Sequence, residues 1–258
     1  MTQAVSGTRY TSLQGKRVFV TGGGTGIGAS LVQSFAEQGA HVAFVDIATA
    51  ESEALCDTVA AAGAPKPQFR HCDITDIAAL QRTMAELADL GGDFDVLVNN
   101  AANDQRHDIE NVTVDYWNER IAINQRPMFF TCQSVLAGMK RKGGGAIINI
   151  SSMFWHAKGP GYPAYATTKA AVIGLTRSLA RDLGPHNIRV NTVTPGWVMT
   201  KRQLDLWVNE AAEKEIDRAQ CLPGRLMPEH VSAMVMFLAA DDGAMCTAQE
   251  FIVDAGWC

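Results

Sequence analysis

Val18-Phe19-Val20-Thr21-Gly22-Gly23-Gly24-Thr25-Gly26-Ile27-Gly28 decides how this chain folds. Val18 to Val20 form an apolar run of the kind a buried parallel strand needs. Glycines interrupt it, and Ala29-Ser30-Leu31-Val32-Gln33-Ser34-Phe35-Ala36 resumes with apolar residues at helical spacing. Strand, glycine turn and helix together aim free backbone N–H groups and a helix dipole at a phosphate. A β-carbon in the turn would hold a pyrophosphate off the backbone. An isolated Gly-x-Gly is equally an ordinary turn, but here the strand, the helix and a downstream acid agree. That acid is Asp46, which ends the run His41-Val42-Ala43-Phe44-Val45 and lies 24 residues past Gly22. A carboxylate there accepts hydrogen bonds from ribose hydroxyls and repels a 2′-phosphate, so NAD is expected over NADP.

Outward from this unit, strands and helices alternate almost to the end. Strands are expected near 17–21, 41–46, 68–73, 95–100, 146–151, 188–194 and 250–254, and helices near 26–38, 50–62, 76–90, 114–141, 163–183, 203–219 and 228–240. Strict alternation with buried strands implies one α/β Rossmann-type, doubly wound domain: a parallel sheet of about seven strands with helices on both faces. Residues 1–14 read as an N-terminal arm and 15–258 as a single domain. Pro127 falls inside the expected helix 114–141, so a break is expected near Arg126-Pro127. The stretch 203–219 lies between Pro195-Gly196 and Pro223-Gly224, and 203–223 reads as a lid over a site.

The composition is that of a globular protein, with 47% apolar and 19% charged residues. A net charge of −5 argues against nucleic acid as a partner. The six cysteines show no C-x-x-C and no metal-ligand spacing with the six histidines, so no metal is expected and a cytoplasmic location is. No apolar run approaches the length of a membrane helix.

Tyr165 and Lys169 stand at i and i+4 on one expected helix face. A free phenol is a poor base at neutral pH. A nearby ammonium favours the phenolate, so Lys169 is expected to lower the Tyr165 pKa. Strand 146–151 ends at Ser151-Ser152, beyond the carboxyl end where α/β folds place ligands.

The spacing Gly22-x-x-x-Gly26-x-Gly28 after Thr21 resembles the short-chain dehydrogenase/reductase family, and Tyr165-x-x-x-Lys169 matches that family's catalytic pair. By that resemblance Ser152, 13 residues before Tyr165, is the catalytic serine, although sequence alone leaves Ser151 open. Asn124 matches the asparagine that holds a water next to the lysine. Cofactor contacts implied are Gly22, Thr25, Gly26, Ile27, Gly28 and Asp46 around the phosphates and ribose, and Asp73 and Ile74 at the adenine. Asn100 ends the fourth strand, in Asn99-Asn100-Ala101-Ala102, where Ala102 replaces the usual glycine. Tyr165, Lys169, Pro195, Gly196, Val198 and Thr200 complete the set toward the nicotinamide. The family expectation for assembly is a homotetramer.

The variable loops are polar, which favours a polyhydroxylated substrate. Asn103, Ser152, His156, Tyr165, Trp197 and Gln203 are the expected substrate contacts. Segments such as Asn103-Asp104-x-Arg106-His107 and Thr200-Lys201-Arg202-Gln203 are similar to those of NAD-dependent aldose 1-dehydrogenases of the D-xylose and L-arabinose type. The resemblance implies hydride transfer from the C1 hydroxyl of a sugar to NAD, with segment 152–163 choosing between sugars. A 3-oxoacyl or secondary-alcohol reductase on the same fold is the second reading. A non-enzymatic dinucleotide sensor is a third, disfavoured because both Tyr165 and Lys169 are present.

Overall fold

The computed structural model describes residues 7–258, so residues 1–6 of the expected arm lie outside the described residues. Seven strands form one sheet: β1 (Arg17–Thr21), β2 (His41–Asp46), β3 (Gln68–His71), β4 (Val96–Asn99), β5 (Gly145–Ile150), β6 (Ile188–Pro195) and β7 (Glu250–Val253). Their order is β3-β2-β1-β4-β5-β6-β7, and every pairing is parallel. The chain leaves β1 in one direction to build β2 and β3, then returns to place β4 on the other side. The carboxyl ends of β1 and β4 therefore meet at the switch point, where an open α/β sheet forms its ligand crevice.

Among the described residues ten α-helices connect the strands: α1 (Gly26–Glu37), α2 (Thr49–Ala61), α3 (Ile77–Gly91), α4 (Val114–Asn124), α5 (Arg126–Lys142), α6 (Phe154–Ala157), α7 (Pro163–Leu183), α8 (Lys201–Leu206), α9 (Glu210–Ala219) and α10 (Pro228–Ala239). Alternate strand residues feed opposite faces. Val18, Val20, Val96, Val98 and Ile148 pack with Leu31 and Phe35 of α1 and Val231 and Val235 of α10. Phe19, Leu97 and Ile147 pack on the other face with Leu80 and Leu87 of α3 and Val135 and Met139 of α5. Burial on both faces accounts for the continuous apolar runs, each full Leu or Phe burial contributing about 1.5–3 kcal/mol.

The expected long helix over 114–141 is two helices, α4 and α5, separated at Gln125, whose backbone (φ −127°, ψ −55°) leaves the helical region. Pro127 occupies the first turn of α5, where its missing N–H costs nothing. The expected helix over 203–219 is likewise divided into α8 and α9. Thr200 and Asn209 cap them, accepting from the Gln203 and Ala212 amides. The short α6 lies in a stretch for which sequence periodicity predicts no element. Among the described residues no helix is long and apolar enough to cross a membrane.

Candidate active site

A cavity of about 700 Å³ opens over the carboxyl ends of β1, β2, β4, β5 and β6. At its floor the first turn is locked by contacts only glycine allows. Gly22 has φ +66°, and a Cβ there would stand 2.8 Å from the Ala101 Cα; a Cβ on Gly28 would stand 1.8 Å from the Gly22 carbonyl oxygen. Asn100 clasps this turn to β4 by donating to the Thr21 and Gly22 carbonyls at 3.1 and 2.9 Å. The Asp46 carboxylate accepts from the Gly24 and Ala48 amides at 2.8 and 2.9 Å, so it holds the turn while lining the cavity. Thr25 precedes α1 without a side-chain cap, leaving the leading amides of α1 at the cavity wall beside Ile27 and Gly28.

These features fit a nicotinamide dinucleotide: an uncapped helix start for the pyrophosphate, an acid for a ribose, and a long trough. Of the residues expected to touch it, Gly22, Thr25, Ile27, Gly28, Asp46, Asp73, Ile74, Asn100, Tyr165, Lys169, Pro195, Gly196, Val198 and Thr200 line the cavity. Gly26 is the exception. It is not at the wall, and its φ of +54° with Thr200 Cγ2 3.2 Å from a hypothetical Cβ makes it a packing and turn residue.

Beneath the opposite end, a buried polar ladder fixes the strands. Asn99 Nδ2 donates to Asn149 Oδ1 at 2.9 Å, Asn149 Nδ2 to Thr176 Oγ1 at 2.9 Å, and Thr131 Oγ1 to Asn99 Oδ1 at 2.6 Å. Being fully partnered, these groups rigidify the platform under α7. Ser151 and Ser152 both line the cavity but have different partners. Ser151 Oγ donates to the Lys169 carbonyl at 2.8 Å, while Ser152 Oγ accepts from the Phe154 amide at 3.4 Å and stands near enough to the Tyr165 phenol to lower its pKa. Lys169 is 1% exposed, and its ammonium donates to the Ile150 carbonyl at 2.9 Å, 5.7 Å from the centre of the Tyr165 ring.

The electrostatics correct the expectation that Lys169 lowers the Tyr165 pKa. Burial pushes the Tyr165 phenol well above its ordinary value, and the Asp104 carboxylate adds to this; the Ser152 hydrogen bond opposes. Burial also pushes Lys169 down to about 8, with Asp104 opposing. For both groups burial is the largest cause, because desolvation disfavours the charged form.

Asn124 is not among the residues that line the cavity. Its side chain lies behind the cavity wall, accepting from the Asn103 amide at 2.7 Å and donating to the Asn103 carbonyl at 3.1 Å. It thus fixes the backbone of a cavity residue. His156 does not line the cavity either. Its Nε2 lies 3.0 Å from Glu250 Oε1 of β7, and its ring stacks on Trp155 at 3.6 Å. The end of the cavity around Tyr165 is lined by Asn103, Ser152, Trp197 and Gln203, and also by Asp104, Phe154 and Arg202. Gln203 Nε2 donates to Asp104 Oδ2 at 2.6 Å, Arg202 Nε to Asp104 Oδ1 at 3.2 Å, and Trp197 Nε1 to Gln203 Oε1 at 3.0 Å. Sequence marks Asp104 and Arg202 only as members of polar loops. Their pairing across about a hundred residues of chain has no local signal. Among the described residues no group of three or more His, Cys, Asp or Glu side chains could hold a metal ion.

The family model described as Enoyl-(Acyl carrier protein) reductase matches residues 22–258. The chain is 50% identical over 253 residues to a D-xylose 1-dehydrogenase of Caulobacter vibrioides, covering 98% of this chain and 100% of that protein. It is 45% identical to a probable galactose dehydrogenase of Rhizobium meliloti, over 96% of this chain and 97% of that one. A short-chain type dehydrogenase/reductase structure from Mycobacterium ulcerans superposes with a TM-score of 0.91 at 26% identity, covering 95% of this chain and 90% of its own.

Proposed function

The chain belongs to the short-chain dehydrogenase/reductase family, and from that premise we propose that it oxidises the C1 hydroxyl of an aldose to the lactone with NAD. The observation that carries this is the convergence of Ser152, Tyr165 and Lys169 on one cavity whose adjoining wall is polar, with Asn103, Asp104, Arg202 and Gln203. Several fixed donors and acceptors suit a sugar, whereas an acyl chain or a sterol favours an apolar wall. The two named sugar dehydrogenases at 50% and 45% identity support the same class.

In this scheme Tyr165 takes the proton of the C1 hydroxyl, and Ser152 donates to the oxygen on which negative charge grows. Lys169 holds α7 against β5 through Ile150 and presents its charge to the cofactor side of the cavity. Asn124 acts through the backbone of Asn103. The nicotinamide ring, when bound, supplies the hydride acceptor.

Preference for NAD rests on Asp46, whose carboxylate at the ribose end repels a 2′-phosphate. Residues 203–223 act as a lid, held to the body where Gln203 and Arg202 meet Asp104 and where the Cys221 and Leu222 amides donate to the Ala255 carbonyl at 2.9 and 3.1 Å. Exposed apolar residues on α4 and α5 (Val114, Trp117 and Phe129) support a homotetramer built on this face. The six free thiols support a cytoplasmic location.

The test is a panel of aldoses and plain secondary alcohols with NAD and NADP, followed at the absorbance of the reduced nicotinamide. Turnover of a pentose or hexose with NAD is expected. Turnover confined to apolar alcohols or 3-oxoacyl substrates would overturn the sugar assignment.

A further inference from the structure

A second cavity, of about 550 Å³, lies beside the first and is lined by His107, residues 108–111, Gly159, Pro160, Gly161 and Pro163. His107 stands on its wall, yet its polar atoms are all spent on the protein. The His107 amide donates to the Gly161 carbonyl at 2.9 Å. Its Nε2 accepts from the Ala164 amide at 3.2 Å, and its Nδ1 lies 2.9 Å from the Tyr116 hydroxyl. A backbone amide can only donate, so Nε2 carries no hydrogen and Nδ1 does. Nδ1–H then donates to the Tyr116 oxygen, whose own hydrogen faces the Gln105 carbonyl at 3.3 Å. Nδ1 also lies 3.3 Å from the Gln105 carbonyl, which therefore faces both the imidazole N–H and the phenol.

What the imidazole holds is the start of α7. Tyr162, the residue preceding that helix, makes no side-chain cap, and Pro163 has no N–H to offer. Ala164 therefore carries the first amide of α7, and His107 caps it from a different loop. Tyr165 is the next residue. With two bonds to Gly161 and Ala164, His107 brackets Tyr162 and Pro163, the two residues through which the chain enters the helix. The same loop carries Asn103, tied to Asn124, and Asp104, tied to Gln203. His107 thus links the substrate wall to the first turn under Tyr165.

We infer that His107 is a positioning residue for the reaction: its unprotonated Nε2 caps α7 and sets the direction of the Tyr165 hydroxyl over the cavity. This rests on Tyr165 being the base. A misplacement of about 1 Å in such a group costs about 10²-fold in turnover.

His107→Leu keeps bulk and deletes the acceptor, while His107→Gln places an amide oxygen where Nε2 lies and keeps it. For His107→Leu, kcat is expected to fall about 10- to 100-fold, more than the sugar KM rises, with the NAD dissociation constant within about threefold of the parent. His107→Gln is expected to restore kcat to within about fivefold. Full turnover in His107→Leu overturns the inference, as does a His107→Gln variant no better than His107→Leu. Loss of NAD binding in both variants together with loss of turnover also overturns it, because the role is then general folding. Tyr165→Phe run alongside separates the two readings: if it keeps turnover, the base assignment fails, whereas if it alone loses turnover, only the role of His107 fails.

Discussion

The Asp104 carboxylate accepts a 2.6 Å hydrogen bond from the side-chain amide of Gln203, closing the substrate end of the cavity between the loop after β4 and α8. The same carboxylate raises the pKa of both Tyr165 and Lys169. One residue therefore joins α8 to the electrostatics of the proposed base.

Asp104→Asn tests that junction. The amide keeps one acceptor, so only one of the bonds from Gln203 and Arg202 survives. An anion beside a phenol disfavours the phenolate, so removing it eases ionisation of Tyr165. The inflection at which kcat rises with pH is expected to move to lower pH, and the sugar KM to rise by about 10-fold from the lost contact with α8. A pH profile that stays in place or moves to higher pH would show that the charge of Asp104 does not reach the reaction.

Tyr165→Phe preserves the ring packing against Tyr162, centred 6.2 Å away, and deletes the hydroxyl. Loss of general-base catalysis is expected to lower kcat by roughly 10²–10⁴-fold, with NAD affinity little changed. Titration of NAD followed by tryptophan fluorescence, beside steady-state kinetics, separates the two quantities.

Lys169→Met concerns stability as well as rate. Lys169 falls from 10.5 to about 8 in the folded chain. Between those values the unfolded chain holds the proton that the folded chain has released, so parent stability rises with pH across that window. At about 1.4 kcal/mol per pH unit, the buried ammonium costs on the order of 3 kcal/mol below the window. The variant escapes this cost but leaves the Ile150 carbonyl without its partner, at roughly 1–3 kcal/mol. Urea melts of both proteins without cofactor are expected to show the variant comparing best at about pH 7 and losing ground toward about pH 10. Turnover is expected to fall at every pH. A stability difference that is constant with pH would contradict the buried-ammonium account.

Asp46→Ala removes an acceptor for the ribose and the repulsion of a 2′-phosphate. It also frees the Gly24 and Ala48 amides that the carboxylate holds. KM for NAD is expected to rise about 10- to 100-fold, in keeping with loss of charged hydrogen bonds, while kcat/KM for NADP improves. An unchanged ratio of kcat/KM for the two cofactors would remove Asp46 from the discrimination.

Much of the molecule was legible in the chain because its causes are local. A strand buried on both faces must be apolar at consecutive positions, and Val18-Phe19-Val20 and Ile147-Ile148 are. The turn after β1 needs Gly22 and Gly28 because the backbone there folds to within contact of itself. Tyr165 and Lys169 share a face because helix geometry sets the i, i+4 relation before any packing occurs. The break between α4 and α5 follows from Pro127 alone.

Other features depend on which distant segments meet, and only the tertiary structure decided those. His156 sits among residues expected at the substrate, but Glu250, 94 positions away, captures its ring. Asn124 turns to the Asn103 backbone, and Asp104 acquires its significance from Gln203, 99 positions on. His107 caps a helix that begins more than fifty residues later. The direction of the Tyr165 and Lys169 pKa changes belongs to the same class. Proximity of the two side chains is a local matter and suggested mutual support, but burial by the surrounding elements sets the larger effect. Secondary structure and turn sterics act within a few residues, whereas desolvation and hydrogen-bond choice are summed over everything the fold brings near.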